Sequence, residues 1–320
     1  MTARPDAASP RLSRIGLGLA AVGRPAYITV GRSADLPTDR SVPALRTRAF
    51  ELLDLAYAHG IRYVDAARSY GRAEEFLGQW LARRPDADVV VGSKWGYTYV
   101  GDWRMDAEVH EIKDHSLAAF ERQYAETRAL LGDRVAIYQV HSATLESGVL
   151  DDGRLHRALA RLRDEGIRVG LTTSGPGQRD TVRKALDIQV DGVPLFGCVQ
   201  ATWNVLETSV GPALADAHDA GWIVIVKEAV ANGRITAAGD VGGPGSPLAT
   251  AASELDTTPD ALAIAAALAQ PWATVVLSGA VTTGQLLSNL AALDVRVQGV
   301  PALAEEPTAY WSRRAARPWR

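Results

Sequence analysis

The sequence predicts a single-domain (β/α)8 barrel, an α/β fold of the TIM type, and three observations carry that expectation. Short β-branched or apolar runs alternate with longer amphipathic stretches along the chain. Eight such runs occur, each followed by a helical pattern or by a loop and a helix, and this alternation implies parallel strands joined by right-handed crossovers. No linker rich in Pro, Gly or Ser divides the chain, so residues 1–320 read as one domain, with 1–12 and 312–320 as flexible tails.

The first apolar run lies in Arg14–Gly23, and helical spacing follows over Thr47–His59. Gly60 closes that helix, supplying the residue that enters a left-handed cap at no steric cost. Ile61–Asp65 reads as the second strand and Ala73–Ala82 as its helix; Asp88–Lys94 is the third strand, with Ser116–Leu131 as its helix. Strand Val135–His141 precedes helix Gly153–Glu165, and strand Ile167–Thr173 precedes helix Gln178–Leu186. Gly197–Trp203, Trp222–Val226 and Thr274–Leu277 complete the strands, with helices at Val210–Ala220, Pro259–Leu268 and Thr283–Ala292. The repeated order of helix, glycine and apolar strand at Gly60, Gly166 and Gly221 fits a closed barrel, although an open doubly wound sheet has similar junctions. Loops 26–43 and 95–115 are long for a compact barrel, which marks them as functional or disordered; 239–247 reads as a surface loop.

Composition narrows the function. Hydrophobic residues make up 47% of the chain, enough for a sizeable core. Lys and Arg number 34 against 37 Asp and Glu, a net charge of −3 that argues against nucleic acid as a partner. The basic segment 313–320 reads as a solvated tail. Cys198 is the only cysteine, which excludes an intrachain disulfide and a cysteine-built metal site and suits a reducing, cytoplasmic setting. Met1–Arg11 lacks the apolar core of a signal peptide, and no 18-residue apolar run follows, so no membrane partner is expected.

In such a barrel, chemistry sits where the strands end at their C-terminal rim. Three consecutive strands end in ionisable groups: Asp65 in "YVDAARSYG", Lys94 in "VVVGSKWG" and His141 in "IYQVHSA". Neighbouring strands lie about 4.8 Å apart, so the three side chains should converge, with Tyr70 on the loop above. A phenol of pKa about 10 is a poor proton donor at neutral pH, and an adjacent ammonium lowers that value. Lys94 is expected to do this, Asp65 to keep Lys94 charged, and His141 to hydrogen-bond a substrate oxygen. An isolated Asp at a strand end is more often a helix cap and an isolated His more often a core residue; the grouping, not any one residue, carries the expectation. His59, His110, His115, His156 and His218 close no strand and read as core or surface.

The segment "GIRYVDAARSYG" resembles the aldo-keto reductase signature Gly-x-x-x-x-Asp-(Ser/Thr/Ala)-Ala-x-x-Tyr-Gly, and Lys94 and His141 fall where that family carries its other two catalytic residues. The resemblance runs from "GLGLAAVG" to "SGAVTTGQLLSNL". It implies a catalytic tetrad of Asp65, Tyr70, Lys94 and His141, a carbonyl or alcohol substrate, and NADP(H), with NAD(H) as the alternative, bound across the barrel mouth without a Rossmann domain. It also implies cofactor contacts. Ser174 matches the first residue of the family's Ser-Asn pair, whereas Gly175 departs from the second, and Gln200 matches a carboxamide contact. Lys227 stands where the family usually has an aromatic residue against the nicotinamide. Ser278, Gly279, Ala280, Gln285 and Asn289 match the adenosine and phosphate motif, where a helix starting near Thr283 would offer free N–H groups.

Trp95, Tyr97 and Trp103, on the loop after the third strand, are expected to line the substrate pocket; packing as a lid is the plainer alternative. Two other functions stay open on the residues alone. Lys94 or Lys227 at strand ends would suit a Schiff-base class I aldolase or lyase, and the barrel could instead be a non-catalytic nucleotide sensor.

Overall fold

Eight parallel strands close on themselves: β1 (Ile15–Gly18), β2 (Tyr63–Asp65), β3 (Val90–Trp95), β4 (Val135–Ala143), β5 (Arg168–Thr173), β6 (Cys198–Thr202), β7 (Ile223–Lys227) and β8 (Val275–Ser278). Each pairs with its sequence neighbours, and β1 pairs with β8 to shut the ring. The computed structural model describes residues 12–36, 38–297 and 299–319. The barrel expected from sequence is the fold observed; the reading of 1–12 as a tail falls outside the described residues except for Leu12.

The helices form where side chains satisfy their first N–H groups. Helix Val42–Ala58 starts five residues before the apolar pattern predicts, because the Ser41 hydroxyl accepts from Ala44 N and Pro43 fits the first turn. Its buried stripe, Leu45, Ala49, Leu52, Leu53 and Ala56, follows the helical period onto the barrel. Ser116, Ser246, Thr258 and Thr282 cap four further helices in the same way. Loop 95–115 contains a hairpin, Tyr97–Tyr99 paired with Glu111–Lys113, and among the helices without a counterpart in the sequence expectations are Pro247–Glu254 and Pro307–Ala315. The second of these overturns the solvated-tail reading of the C-terminus. Tyr310 and Trp311 are buried on a core cluster with Leu206 and Leu262.

Register builds the floor of the site. Gly18 is paired with Asp65, and Asp65 with Gly92, so Lys94, two residues farther along β3, projects on the same side as Gly92. Inside the barrel the Tyr63 ring fills the space left by Gly16 and Gly92. A Cβ at position 92 would lie 2.2 Å from the Tyr63 hydroxyl, so only glycine permits that packing. Among the described residues, no helix is long and apolar enough to cross a membrane.

Candidate active site

Asp65 is the hub. Its carboxylate accepts from Lys94 Nζ at 2.5 Å, from Gln200 Nε2 at 2.8 Å and from the Tyr63 hydroxyl at 3.2 Å. Lys94 is completely buried and gives a second hydrogen bond to the Ala66 carbonyl at 2.9 Å. An ammonium so enclosed is held in place and neutralised by its carboxylate. Its Nζ lies 4.6 Å from the centroid of the Tyr70 ring, and the His141 ring stands edge-on to Tyr70 with centroids 5.5 Å apart. The four residues expected from sequence therefore do meet at one rim.

Their electrostatics differ from expectation at Tyr70. Burial holds the phenol well above its ordinary range, the Asp65 charge adds to that, and Arg24 is the cation that opposes it. Lys94 faces the same ring while paired with Asp65. His141 is pushed well below the usual imidazole range by burial and by Lys94, Lys227 and Arg24, so it is neutral at physiological pH. Its Nδ1 faces the Ser69 hydroxyl at 3.4 Å.

Arg24 escaped the sequence reading because β1 ends in a loop with no ionisable residue at the strand terminus itself. The Gly23 carbonyl accepts from Arg72 N at 2.8 Å, tying the loop after β1 to the loop that carries Tyr70. Gly71 permits this approach: its φ is +59°, and a Cβ there would lie 2.5 Å from the Gly23 carbonyl and 2.9 Å from Arg24 Cβ. The Arg24 guanidinium consequently sits 5.1 Å from the Tyr70 ring centroid, 4.7 Å from that of Tyr27 and 4.6 Å from that of Trp319. It is anchored by Glu111 at 2.6 Å and by the Ser69 carbonyl at 3.0 Å.

Two cavities meet at Tyr70. The first, of about 650 Å³, runs from Gly18, Ala20 and Ala21 past Gln200 and Lys227 to Ser278 and Gly279. The second, of about 780 Å³, is bounded by Tyr97, His141 and Ser174 and by the C-terminal residues Arg314, Arg317 and Trp319. Tyr27, Lys227 and Glu228 line both.

The Aldo/keto reductase family model matches residues 15–298. The chain belongs to that family. Among curated proteins, it is 25% identical over 161 residues to norsolorinic acid reductase of Aspergillus flavus, covering 49% of this chain and 40% of that protein. It is 32% identical over 74 residues to aldo-keto reductase str7 of Strobilurus tenacellus, covering 23% and 21% respectively. These matches thus span less than half of either relative. Two solved structures share the fold at a TM-score of 0.66 each. One is an aldo-keto reductase from Bacillus halodurans in holo form, 19% identical and covering 95% of this chain and 92% of that one. The other is a glycerol dehydrogenase from Gluconobacter oxydans, 20% identical and covering 98% and 94%.

In this aldo/keto reductase, the residues matched to cofactor contacts fall into two groups. Ser174, Gln200, Lys227, Ser278 and Gly279 line the cavities. Ala280, Gln285 and Asn289 instead shape the turn beyond β8. Ser278 Oγ donates to Asn289 Oδ1 at 2.7 Å, Asn289 Nδ2 donates to Asp260 at 2.8 Å, and Gln285 Oε1 accepts from Val281 N at 2.9 Å. Gln285 Nε2 also donates to Asp35 Oδ2 at 2.8 Å, bringing a carboxylate from the loop after β1 onto this turn.

The pocket expectation requires correction at two of its three aromatics. Trp95 is fully buried beneath the rim, against His115 and Phe120, since it continues β3 into the core. Trp103 donates its indole N–H to the Arg40 carbonyl at 2.7 Å and packs on Phe76, outside both mouth cavities. Tyr97 alone reaches the second cavity. Trp319 takes the place expected of the other two, stacked on His110 with centroids 4.5 Å apart. His110 and His115, expected in the core or at the surface, pack near the site, with His115 Nε2 bonded to the His141 carbonyl at 2.8 Å and His110 stacked on Trp319.

Proposed function

We propose that this protein interconverts a carbonyl compound and an alcohol with a nicotinamide cofactor, using Tyr70 as the general acid–base. The observation that carries the reading is the position of Tyr70 on the wall shared by both cavities, packed against Lys94 and His141. One cavity then serves the hydride donor and the other the hydride acceptor, with the phenol at their junction.

The first cavity fits a nicotinamide group. Gly18, Ala20 and Ala21 leave one wall with little or no side chain. When bound, the cofactor supplies or removes the hydride. The residues of the chain handle the proton and the charge. Tyr70 donates its proton to the carbonyl oxygen as negative charge develops there, and in the reverse direction takes the proton from the alcohol. Neutral His141, with Nδ1 engaged by Ser69, presents Nε2–H to the same oxygen. Arg24 over the ring favours the transient phenolate, while Asp65, through Lys94, fixes the ammonium that faces the ring.

A Schiff-base role for Lys94 is poorly supported, because its amine already bonds to Asp65 and Ala66 and has no exposure. For the cofactor, the Asp35 carboxylate on Gln285 favours NAD(H) over NADP(H): a carboxylate there accepts from a ribose hydroxyl and repels a 2′-phosphate. The test is fluorescence quenching by NADH and NADPH, followed by nicotinamide absorbance with a panel of aldehydes, ketones and sugars. Binding of a reduced cofactor together with substrate-dependent oxidation is expected. Absence of binding by either cofactor would overturn the reading.

A further inference from the structure

The second cavity carries more positive charge than its own carboxylates can match. Among the described residues, four cations line it, Arg24, Lys227, Arg314 and Arg317, against Glu111 and Glu228. Each carboxylate is committed to one arginine: Glu111 to Arg24 at 2.6 Å, and Glu228 to Arg314 through paired contacts of 2.5 and 2.9 Å. Lys227 has only a longer ion pair with the already engaged Glu228, and Arg317 pairs with neither carboxylate. The Lys227 ammonium hydrogen-bonds to Thr202 Oγ1 at 2.8 Å and stays 3.8 Å from the nearest Glu228 oxygen. Arg317 donates to the Asn232 carbonyl at 3.3 Å and makes no ion pair among the described residues. Such a surplus is at odds with a chain whose net charge is −3, and placing like charges around a low-dielectric space is costly unless an anion joins them.

We propose that the second cavity accepts a carbonyl substrate bearing a carboxylate or similar anionic group, held by Lys227 and Arg317. The proposal rests on the carbonyl–alcohol reading above and names its substrate class. The remaining lining suits the rest of such a molecule. Tyr27, Tyr97 and Trp319 form an aromatic wall for an apolar body, and Tyr70 with His141 receives the carbonyl oxygen.

The titration of Lys227 agrees. Burial lowers it to about 8, Arg314 and Lys94 push in the same direction, and Glu228 and Asp65 oppose them. Neutral His141 and the Trp311 ring are its other neighbours, and neither supplies a negative charge. A bound carboxylate would restore the ammonium, so affinity for an anion is full below pH 8 and falls as pH rises through that value.

The experiment compares matched aldehydes on the full chain at saturating cofactor: 4-carboxybenzaldehyde against methyl 4-formylbenzoate, and succinic semialdehyde against butanal. The expected result is a preference of about ten- to hundred-fold in kcat/KM for the carboxylates, carried by KM, as charge-assisted hydrogen bonds provide. Lys227→Met and Arg317→Met should each reduce that ratio by about ten-fold. Equal use of both members of each pair, or a ratio that both variants leave intact, overturns the proposal. A loss of cofactor affinity in the variants with the ratio unchanged also overturns it, assigning the cations to the cofactor's phosphates. If no aldehyde is turned over, the carbonyl reading fails separately. Terephthalate binding, followed by tryptophan fluorescence, then decides the anion site: binding that weakens in Lys227→Met and above about pH 8 supports it, and absence of binding overturns it.

Discussion

Arg314 grips Glu228 with one edge of its guanidinium, Nε at 2.9 Å and Nη2 at 2.5 Å from the carboxylate oxygens. The pair joins the C-terminal helix to the end of β7 and thereby makes the last residues part of the cavity wall. Burial would raise the Glu228 carboxyl, but Arg314 and Lys227 outweigh it and hold it at about 2.

Because the folded value is depressed, the stabilising contribution is complete above the ordinary carboxylate range near 4.5 and is lost as pH falls toward 2. Arg314→Leu should cost about 3 kcal/mol, the lower end for breaking a buried pair, since Arg314 is partly exposed. It should also abolish the acid dependence between those values. Thermal unfolding from pH 7 to 3, with limited proteolysis after residue 306, reads both effects.

Tyr70→Phe keeps the ring and removes the proton. A fall in kcat of about 10²- to 10⁴-fold is expected, with cofactor affinity changed far less. Stopped-flow measurement of hydride transfer checks it.

Lys94→Met strands the Asp65 carboxylate in the barrel with only Gln200 and Tyr63 as partners. A destabilisation of about 3–5 kcal/mol follows from an uncompensated buried charge. Adding Asp65→Asn should recover part of it. Denaturant unfolding of the single and double variants measures the coupling.

Gly71→Ala should move Arg24 away from Tyr70. The new Cβ meets the Gly23 carbonyl at a residue whose φ is already positive, a strain of about 1–3 kcal/mol. A lowered melting temperature and an alkaline shift of the pH–kcat profile are expected, since Arg24 is the cation that opposes the rise in the Tyr70 pKa.

Asp35→Ser should shift cofactor preference toward NADPH by about ten-fold by removing the carboxylate held on Gln285. Dissociation constants for the two reduced cofactors test this directly.

The eight strands and their helices were legible in the sequence because each follows from local periodicity, with glycines and capping residues as punctuation. Asp65, Lys94 and His141 were legible as strand-end ionisable groups, and Tyr70 through the motif that follows Asp65. The C-terminal helix was not, since a short basic segment looks solvated until its partner Glu228 is known. Nor were the fates of Trp95 and Trp103, whose rings could equally pack or line a pocket.

What the sequence determined by itself was the ring of parallel strands and the convergence of a phenol, an ammonium, a carboxylate and an imidazole on one rim. Only the tertiary structure decided which charge each group feels. Asp65 neutralises Lys94, Arg24 from another loop faces Tyr70, and Arg314 from the far end of the chain fixes Glu228. Electrostatic energy depends on distances and burial across segments remote in sequence, and periodicity within a segment carries no record of either.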